Sequence, residues 1–325
     1  MHWIDLTYNQ NRFFNHQLSS MKQSTSTVFM IQPVAFDHNS QTATTNAFQK
    51  SKMYEQSVVQ QKALEEFKQL VSVLESNGIE VILFEDTPIP HTPDAIFPNN
   101  WISIQEDTIN IYPMFTENRK AERRQDIIAY FQKYFQIKTI NNYSIYEQQN
   151  QIVEGTGSMV LDHLNKMIYM CLSPRANVNL MHKIAEDIGY ECIDFEAVDD
   201  QGREIYHTNV MMCIGTKFAV ICLESIPNGA KRDYIIQELE QGGRALIEIT
   251  MEQMYAFAGN MIELRNKTDE LFLAMSTTAF NTLNPFQIYQ IEAFANILHS
   301  PIPTIEYHGG GSVRCMLTEV FAQKK

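Results

Sequence analysis

Apolar residues fall along this chain in strand-length runs and helix-period stretches, and the two kinds alternate in a fixed order. Two adjacent runs rich in Ile, Val, Met and Phe are followed by an amphipathic segment and one more run, an order that occurs four times. The first runs open after Asn100, Ser158, Asn209 and Asn260, and Ser312 opens a fifth, so the starts are spaced by 58, 51, 51 and 52 residues. The second runs occupy 108–112, 167–172, 218–223 and 271–275. Helices are expected over 119–134 (Ile127, Ile128, Phe131, Tyr134), 178–188 (Val178, Met181, Ile184, Ala185, Ile188), 232–241 (Ile235, Ile236, Leu239) and 286–298 (Ile288, Ile291, Phe294, Ile297). Closing strands are expected at 137–140, 190–195, 245–249 and 302–307.

The ends of the chain supply the missing copy. Residues 27–32 read as a strand, Val59, Ala63, Phe67, Leu70 and Leu74 mark an amphipathic helix, and Ile79–Phe84 reads as a third strand. Only a first strand is lacking there, and Val313–Phe321 reads as a first strand with nothing after it. Pairing the two closes a ring of five strand–strand–helix–strand units and leaves no open sheet edge. An ordinary α/β fold with coincidental spacing is the weaker alternative, because four near-equal intervals share one element order. Residues 1–26 are polar and lack the apolar core of a secretory signal. They are expected to form a weakly structured extension ahead of a single domain at 27–325, and residues 1–20 are left out of the fold argument.

Composition narrows the function classes. Lys plus Arg number 25 against 38 Asp plus Glu, a formal charge of −13 with no block of five like charges. That dispersed acidity argues against nucleic acid or an anionic membrane as partner. Apolar runs reach about six residues, where a membrane span needs roughly 20. The five cysteines, at 171, 192, 213, 222 and 315, are odd in number and form no C-x-x-C pair. A disulfide framework and a structural zinc site are therefore not expected, and the chain reads as a cytoplasmic protein. A homo-oligomer is left open.

In such a ring the starts of the five first strands converge on the axis. Asp94, Glu154, His207, Gly259 and Cys315 stand there, so two carboxylates, an imidazole and a thiol from separate repeats share one small space. A cysteine beside a histidine is a nucleophile with its acid–base partner. Two carboxylates beside them suit a small substrate with several N–H donors, such as a guanidinium or ureido group. Taken singly each residue has a plainer reading: Cys315 as a small buried hydrophobe, His207 as a structural histidine, Glu154 as a turn residue and Asp94 as part of a loop.

The ordered set resembles the pentein superfamily of guanidine-modifying enzymes, which includes arginine deiminase, dimethylarginine hydrolase and the amidinotransferases. The matching residues are Asp94 in a proline-flanked loop, E-G at 154–155, H-x-N at 207–209 and G-G-G-x-x-x-C at 309–315. N-A-F-Q at 46–49, F-P-N-N-W at 97–101 and V-E-G-T-G-S at 153–158 are most similar to the bacterial citrulline-utilisation hydrolase branch. The resemblance implies an α/β pentein fold, a five-bladed propeller with pseudo-fivefold symmetry, and a hydrolase of non-peptide C–N bonds without metal or cofactor. It implies Cys315 as nucleophile, His207 as acid and base, Glu154 orienting His207, and Asp94 holding substrate N–H groups. Arg119 (M-x-x-x-x-R) and Arg175 (S-x-R) match deiminase positions that take a substrate carboxylate, a task suited to a bidentate guanidinium. Asn46 is a further binding candidate, from N-A-F-Q.

One departure bears on substrate. Arginine deiminases carry H-x-D where this chain has His207-Thr208-Asn209. A neutral amide lowers the negative charge and offers both donor and acceptor, as a ureido group requires. The expected reaction is conversion of citrulline to ornithine, with a small-molecule amino acid as substrate. The alternatives are an arginine deiminase or amidinotransferase, a non-catalytic pentein binding module, and, more remotely, a zinc hydrolase, for which no H-E-x-x-H exists.

Overall fold

The computed structural model describes residues 22–50 and 54–325, which form five three-stranded sheets. Strands β1 (Thr27–Gln32) and β2 (Glu80–Glu85) pair in parallel across the helix Gln56–Ser76. The second sheet is β3 (Ile102–Gln105), β4 (Thr108–Ile111) and β5 (Thr139–Asn142), and the third is β6 (Val160–Asp162), β7 (Met167–Cys171) and β8 (Glu191–Phe195). The fourth is β9 (Met212–Ile214), β10 (Phe218–Ile221) and β11 (Ala245–Glu248), and the fifth is β12 (Ile262–Arg265), β13 (Leu271–Ser276) and β14 (Asn296–Ser300). In each of these four the first two strands are antiparallel and the third is parallel to the second. A parallel return requires a crossover, which the helices Gln125–Tyr134, Val178–Ile188, Gly229–Gln241 and Pro285–Glu292 provide.

The ring closes as the hydrophobic pattern requires. Strand β15 (Thr318–Glu319) pairs antiparallel with β1, placing Val28 opposite Glu319 and Phe29 opposite Thr318. Val320 then bridges to Ile104, tying this blade to the next. Two small cavities, of about 30 and about 10 Å³, lie among the five inner strands, with Ile104, Leu161, Met212, Ile262 and Glu319 in their walls. The inner strands therefore surround one axis. The helices pack outside, each burying one face: Leu180, Met181, Ile184 and Ala185 in the helix Val178–Ile188.

Several expectations need correction: the helix expected over 119–134 is two, Glu117–Lys120 and Gln125–Tyr134. The stretch 286–307 holds a helix ending at Glu292, the strand Asn296–Ser300, and a second helix Pro303–Gly309, rather than one helix to 298 and a strand at 302–307. Pro301 and Pro303 explain it, since proline gives no donor to a ladder, yet sits without penalty at the first turn of a helix. The run 313–321 begins as the short helix Val313–Met316, and its strand is only two residues long. Single helical turns also precede three other inner strands, at Pro98–Asn100, Gly155–Ser158 and Thr208–Val210, and they hold the repeated Asn and Ser positions.

Residues 1–21 of the expected extension lie outside the described residues. Gln23, Ser24 and Thr25 are instead buried within the domain. The Gln23 amide donates to the carbonyls of Leu161 and Ile214 and accepts from the His163 N–H, so it stoppers the ring axis between two blades. No helix among the described residues is long and apolar enough to cross a membrane.

Candidate active site

The inner end of the third repeat carries Glu154 ahead of the turn Gly155–Ser158, and the fourth carries His207 ahead of Thr208–Val210. This brings His207 Nε2 to 2.8 Å from Glu154 Oε2. Glu154 also accepts from the Phe115 N–H at 2.9 Å and lies 3.4 Å from Arg175 Nη1. Burial opposes its ionisation, but the charges of Arg175 and Arg119 and the His207 bond outweigh it and hold the carboxyl well below the usual range. An ionised carboxylate only accepts, so His207 Nε2 carries the proton and Nδ1 presents a lone pair. Burial pushes His207 down to about 4 despite Glu154, leaving the imidazole neutral. Gly157 makes room for the ring: a Cβ there would stand 2.8 Å from His207 Nδ1 and 2.4 Å from the Asn100 amide.

Arg119 lies between the two carboxylates, 3.9 Å from Asp94 Oδ2 and 3.9 Å from Glu154 Oε2. Its guanidinium grips Glu122 with two bonds of 2.8 and 2.9 Å, and reaches Asn100 Oδ1 at 2.6 Å and the Phe97 carbonyl at 3.2 Å. Burial works against this cation and the carboxylates outweigh it, raising its pKa further. The donors of Arg119 are thus engaged by the protein. Arg175 donates to the Thr42 carbonyl at 3.1 Å and Thr45 Oγ1 at 2.6 Å and stacks over the Tyr206 ring, while its Nε is buried without a hydrogen-bond partner.

Asp94 accepts from Asn39 Nδ2 at 2.7 Å and from Thr42 Oγ1 at 3.2 Å through one oxygen. The other, Oδ1, is buried and unpartnered. Burial raises its pKa, opposed by Arg119, Asn39 and Arg175. Cys315, in the short helix Val313–Met316, has the Asn209 amide at 3.5 Å from Sγ and the Asn260 amide at 3.3 Å. The Gly309–Gly311 loop before it is tied to Asn46, whose Nδ2 donates to the carbonyls of Gly309 and Gly310 at 3.4 and 3.2 Å. Cys171, Cys192 and Cys213 are pushed up to about 12 and Cys222 to about 11 by burial.

Cys315, His207, Glu154 and Asp94 are at most 3 % exposed. The segment 39–50 lies over them, with Asn39 and Thr42 on Asp94, Thr42 and Thr45 on Arg175, Asn46 on the glycine loop and Gln49 on the His308 carbonyl. Of the sequence-derived residues, His207, Glu154, Asp94, Arg119 and Arg175 are joined by these contacts, and Cys315 is held beside Asn209, two residues from His207. Sequence reasoning missed Glu122, Asn39, Thr42 and Asn260. Glu122 follows Arg119 by three residues, a spacing that could have indicated the pair. Asn260 stands at the repeat position already marked by Asn209. Among the described residues no group of three or more His, Cys, Asp or Glu is arranged to hold a metal ion.

Comparison with known proteins agrees with this architecture. A family model described as N,N dimethylarginine dimethylhydrolase, eukaryotic, matches residues 32–322. Comparison with curated proteins by sequence gives no match. Among solved structures, the N-terminal domain of ArgZ, an arginine dihydrolase from the ornithine–ammonia cycle in cyanobacteria, is 16 % identical with a TM-score of 0.71, covering 90 % of this chain and 97 % of that one. That domain was solved as a cysteine variant with bound substrate. AgrE, as a cysteine variant with L-arginine, is 14 % identical with a TM-score of 0.72, and the match covers 92 % of this chain and 40 % of the AgrE chain. A dimethylarginine dimethylaminohydrolase carrying an adduct with S-methyl-L-thiocitrulline is 15 % identical with a TM-score of 0.59, covering 90 % of this chain and 98 % of that one. The match over 32–322 and the five-bladed ring show that this chain belongs to the dimethylarginine dimethylhydrolase family of penteins, hydrolases of non-peptide C–N bonds.

Proposed function

We propose that the protein hydrolyses the ureido group of citrulline, giving ornithine, ammonia and carbon dioxide, with Cys315 as nucleophile. The Cys315 sulfur adds to the ureido carbon as its proton passes to His207 Nδ1. The tetrahedral adduct collapses when His207 returns that proton to the departing δ-nitrogen, and ornithine leaves a carbamoyl group on the sulfur. Water, deprotonated by His207, then displaces the sulfur, and the carbamate released breaks down to ammonia and carbon dioxide. Glu154 keeps the Nε2–H in place throughout. The free Oδ1 of Asp94 accepts a substrate N–H, and Arg175 meets the α-carboxylate with its unpartnered Nε. Arg119, held by Glu122, balances the charge of Asp94 and Glu154.

The observation that carries the choice of a ureido substrate is the placement of Asn209. Its amide nitrogen and oxygen lie 3.5 and 3.8 Å from the sulfur, so a neutral donor and acceptor face the reacting centre where deiminases carry a carboxylate. The five free cysteines support a reducing, cytoplasmic setting.

A second reading has arginine or a methylated arginine undergoing the same covalent step, and the family match favours it. The deciding experiment offers citrulline, arginine and N,N-dimethylarginine to wild type and to Asn209→Asp, and follows ammonia, dimethylamine, citrulline and ornithine. Citrulline turnover that Asn209→Asp shifts toward arginine supports the ureido assignment; a wild type that prefers arginine or dimethylarginine overturns it. Ammonia released with no acceptor amine present excludes transfer.

A further inference from the structure

We propose that Asn260 is a further catalytic residue: with Asn209 it forms a two-amide cradle that stabilises the negative charge the Cys315 sulfur gains as its proton passes to His207. The inference rests on Cys315 being the nucleophile. Asn260 is fully buried and comes from the fifth sheet's repeat, the one blade that supplies neither carboxylate, imidazole nor thiol to the site.

The orientation of its amide is forced. Asn260 Nδ2 lies 2.9 Å from the Asn209 backbone carbonyl and 3.3 Å from Cys315 Sγ. A carbonyl can only accept, so the nitrogen and not the oxygen faces it, and the second N–H of that nitrogen is left for the sulfur. The Asn209 side chain adds another N–H at 3.5 Å. Two donors converging on one sulfur favour the thiolate over the thiol, because a hydrogen bond to the charged form is the stronger. Tyr206 gives the sulfur no donor, since its hydroxyl donates to the Gly310 carbonyl at 2.6 Å.

The fold meets two costs to put Asn260 there. Residue 259 has to be glycine, since a Cβ would stand 2.4 Å from the Val210 carbonyl and 2.7 Å from the Met211 carbonyl carbon. That contact brings the neighbouring repeat's turn against Asn260. The second cost is Asn260 Oδ1, which is buried with no partner. A residue serving packing alone is better replaced by an apolar side chain than left half satisfied.

The test is the pH dependence of Cys315 alkylation by iodoacetamide, with citrulline turnover measured in parallel. Asn260→Ala should move the alkylation midpoint upward by roughly one pH unit, the scale of one hydrogen bond to a charged group. Its kcat should fall about tenfold with KM little changed. Asn260→Asp, which sets a carboxyl beside the sulfur, should move the midpoint at least as far. Midpoints within a few tenths of wild type in both variants overturn the proposal. Should either fail to fold, the Asn260 side-chain amide signal in wild-type NMR decides: it must titrate in step with Cys315, and a pH-invariant signal contradicts the cradle. Cys315→Ala separates the two readings, because full turnover in that variant sinks the nucleophile itself. Loss of turnover there, with unshifted Asn260 variants, sinks only the cradle.

Discussion

His207 Nε2 sits 2.8 Å from Glu154 Oε2, and this contact fixes which nitrogen of the imidazole is free to work. The carboxylate locks the proton on Nε2 and leaves the lone pair on Nδ1, the base of the proposed mechanism. Glu154→Gln can present an N–H to the ring and favour the opposite tautomer. Turnover should fall by about 10²- to 10⁴-fold, the usual weight of positioned acid–base catalysis, while Cys315 remains open to alkylation. Steady-state kinetics with an alkylation assay check it; near-normal kcat in Glu154→Gln would contradict the tautomer assignment.

The two buried arginines should fail differently. Arg119→Ala strands Asp94, Glu122 and Glu154 without the cation between them, and loss of one partner from a buried ion pair costs about 3–5 kcal/mol. Urea unfolding should show that loss. Arg175→Lys keeps a charge but gives up the planar fork, so it should raise KM with a smaller stability change. Equal losses of stability in both variants would remove the distinction.

Gly310 adopts φ +63°, and a Cβ there would stand 2.6 Å from the Gln49 N–H nitrogen and 2.7 Å from Asn46 Nδ2. Gly310→Ala should therefore push the covering segment off the glycine loop. We expect a raised KM and faster iodoacetamide access to Cys315, and unchanged values of both would show that the cover does not depend on this contact.

Acid should weaken the fold through two buried histidines. Burial lowers His207 to about 4 and, with Arg314, lowers His163 to about 3, both below the ordinary value of 6.5. The unfolded chain binds protons that the native state refuses, so this stabilisation is complete above about pH 6.5 and is lost as pH falls toward 4 and then 3. His163 Nδ1 pairs with the Tyr190 hydroxyl beside the ring axis. Urea midpoints at pH 7.5 and pH 5 should converge more closely in His163→Gln than in wild type, and an identical pH dependence would remove His163 from the account.

The ring was legible because each blade repeats one order of strand-length and helix-length apolar runs, and the spacing of Asn209 and Asn260 carried the register. The order Asp94, Glu154, His207, Cys315 is read from the repeat starts, and the structure links the first three through Arg119 and the Glu154–His207 contact. Boundaries failed where local rules compete. Between 286 and 307 apolar residues suit helix and strand alike, and only the proline positions decide. In 313–317 every second and every third residue is apolar, so periodicity cannot choose between a helical turn and a strand. Gln23, Asn39 and Thr42 carry no periodic signal. Their roles depend on which carboxylate or carbonyl the closed ring sets opposite them.

The central claim is a covalent bond between Cys315 and the substrate carbon. Wild-type protein quenched in acid during citrulline turnover, digested and mass-mapped should carry a carbamoyl group on the peptide containing Cys315, and the adduct should vanish on exhaustion of substrate. Steady turnover with no adduct on that peptide, matched by an active Cys315→Ser variant, would contradict the account.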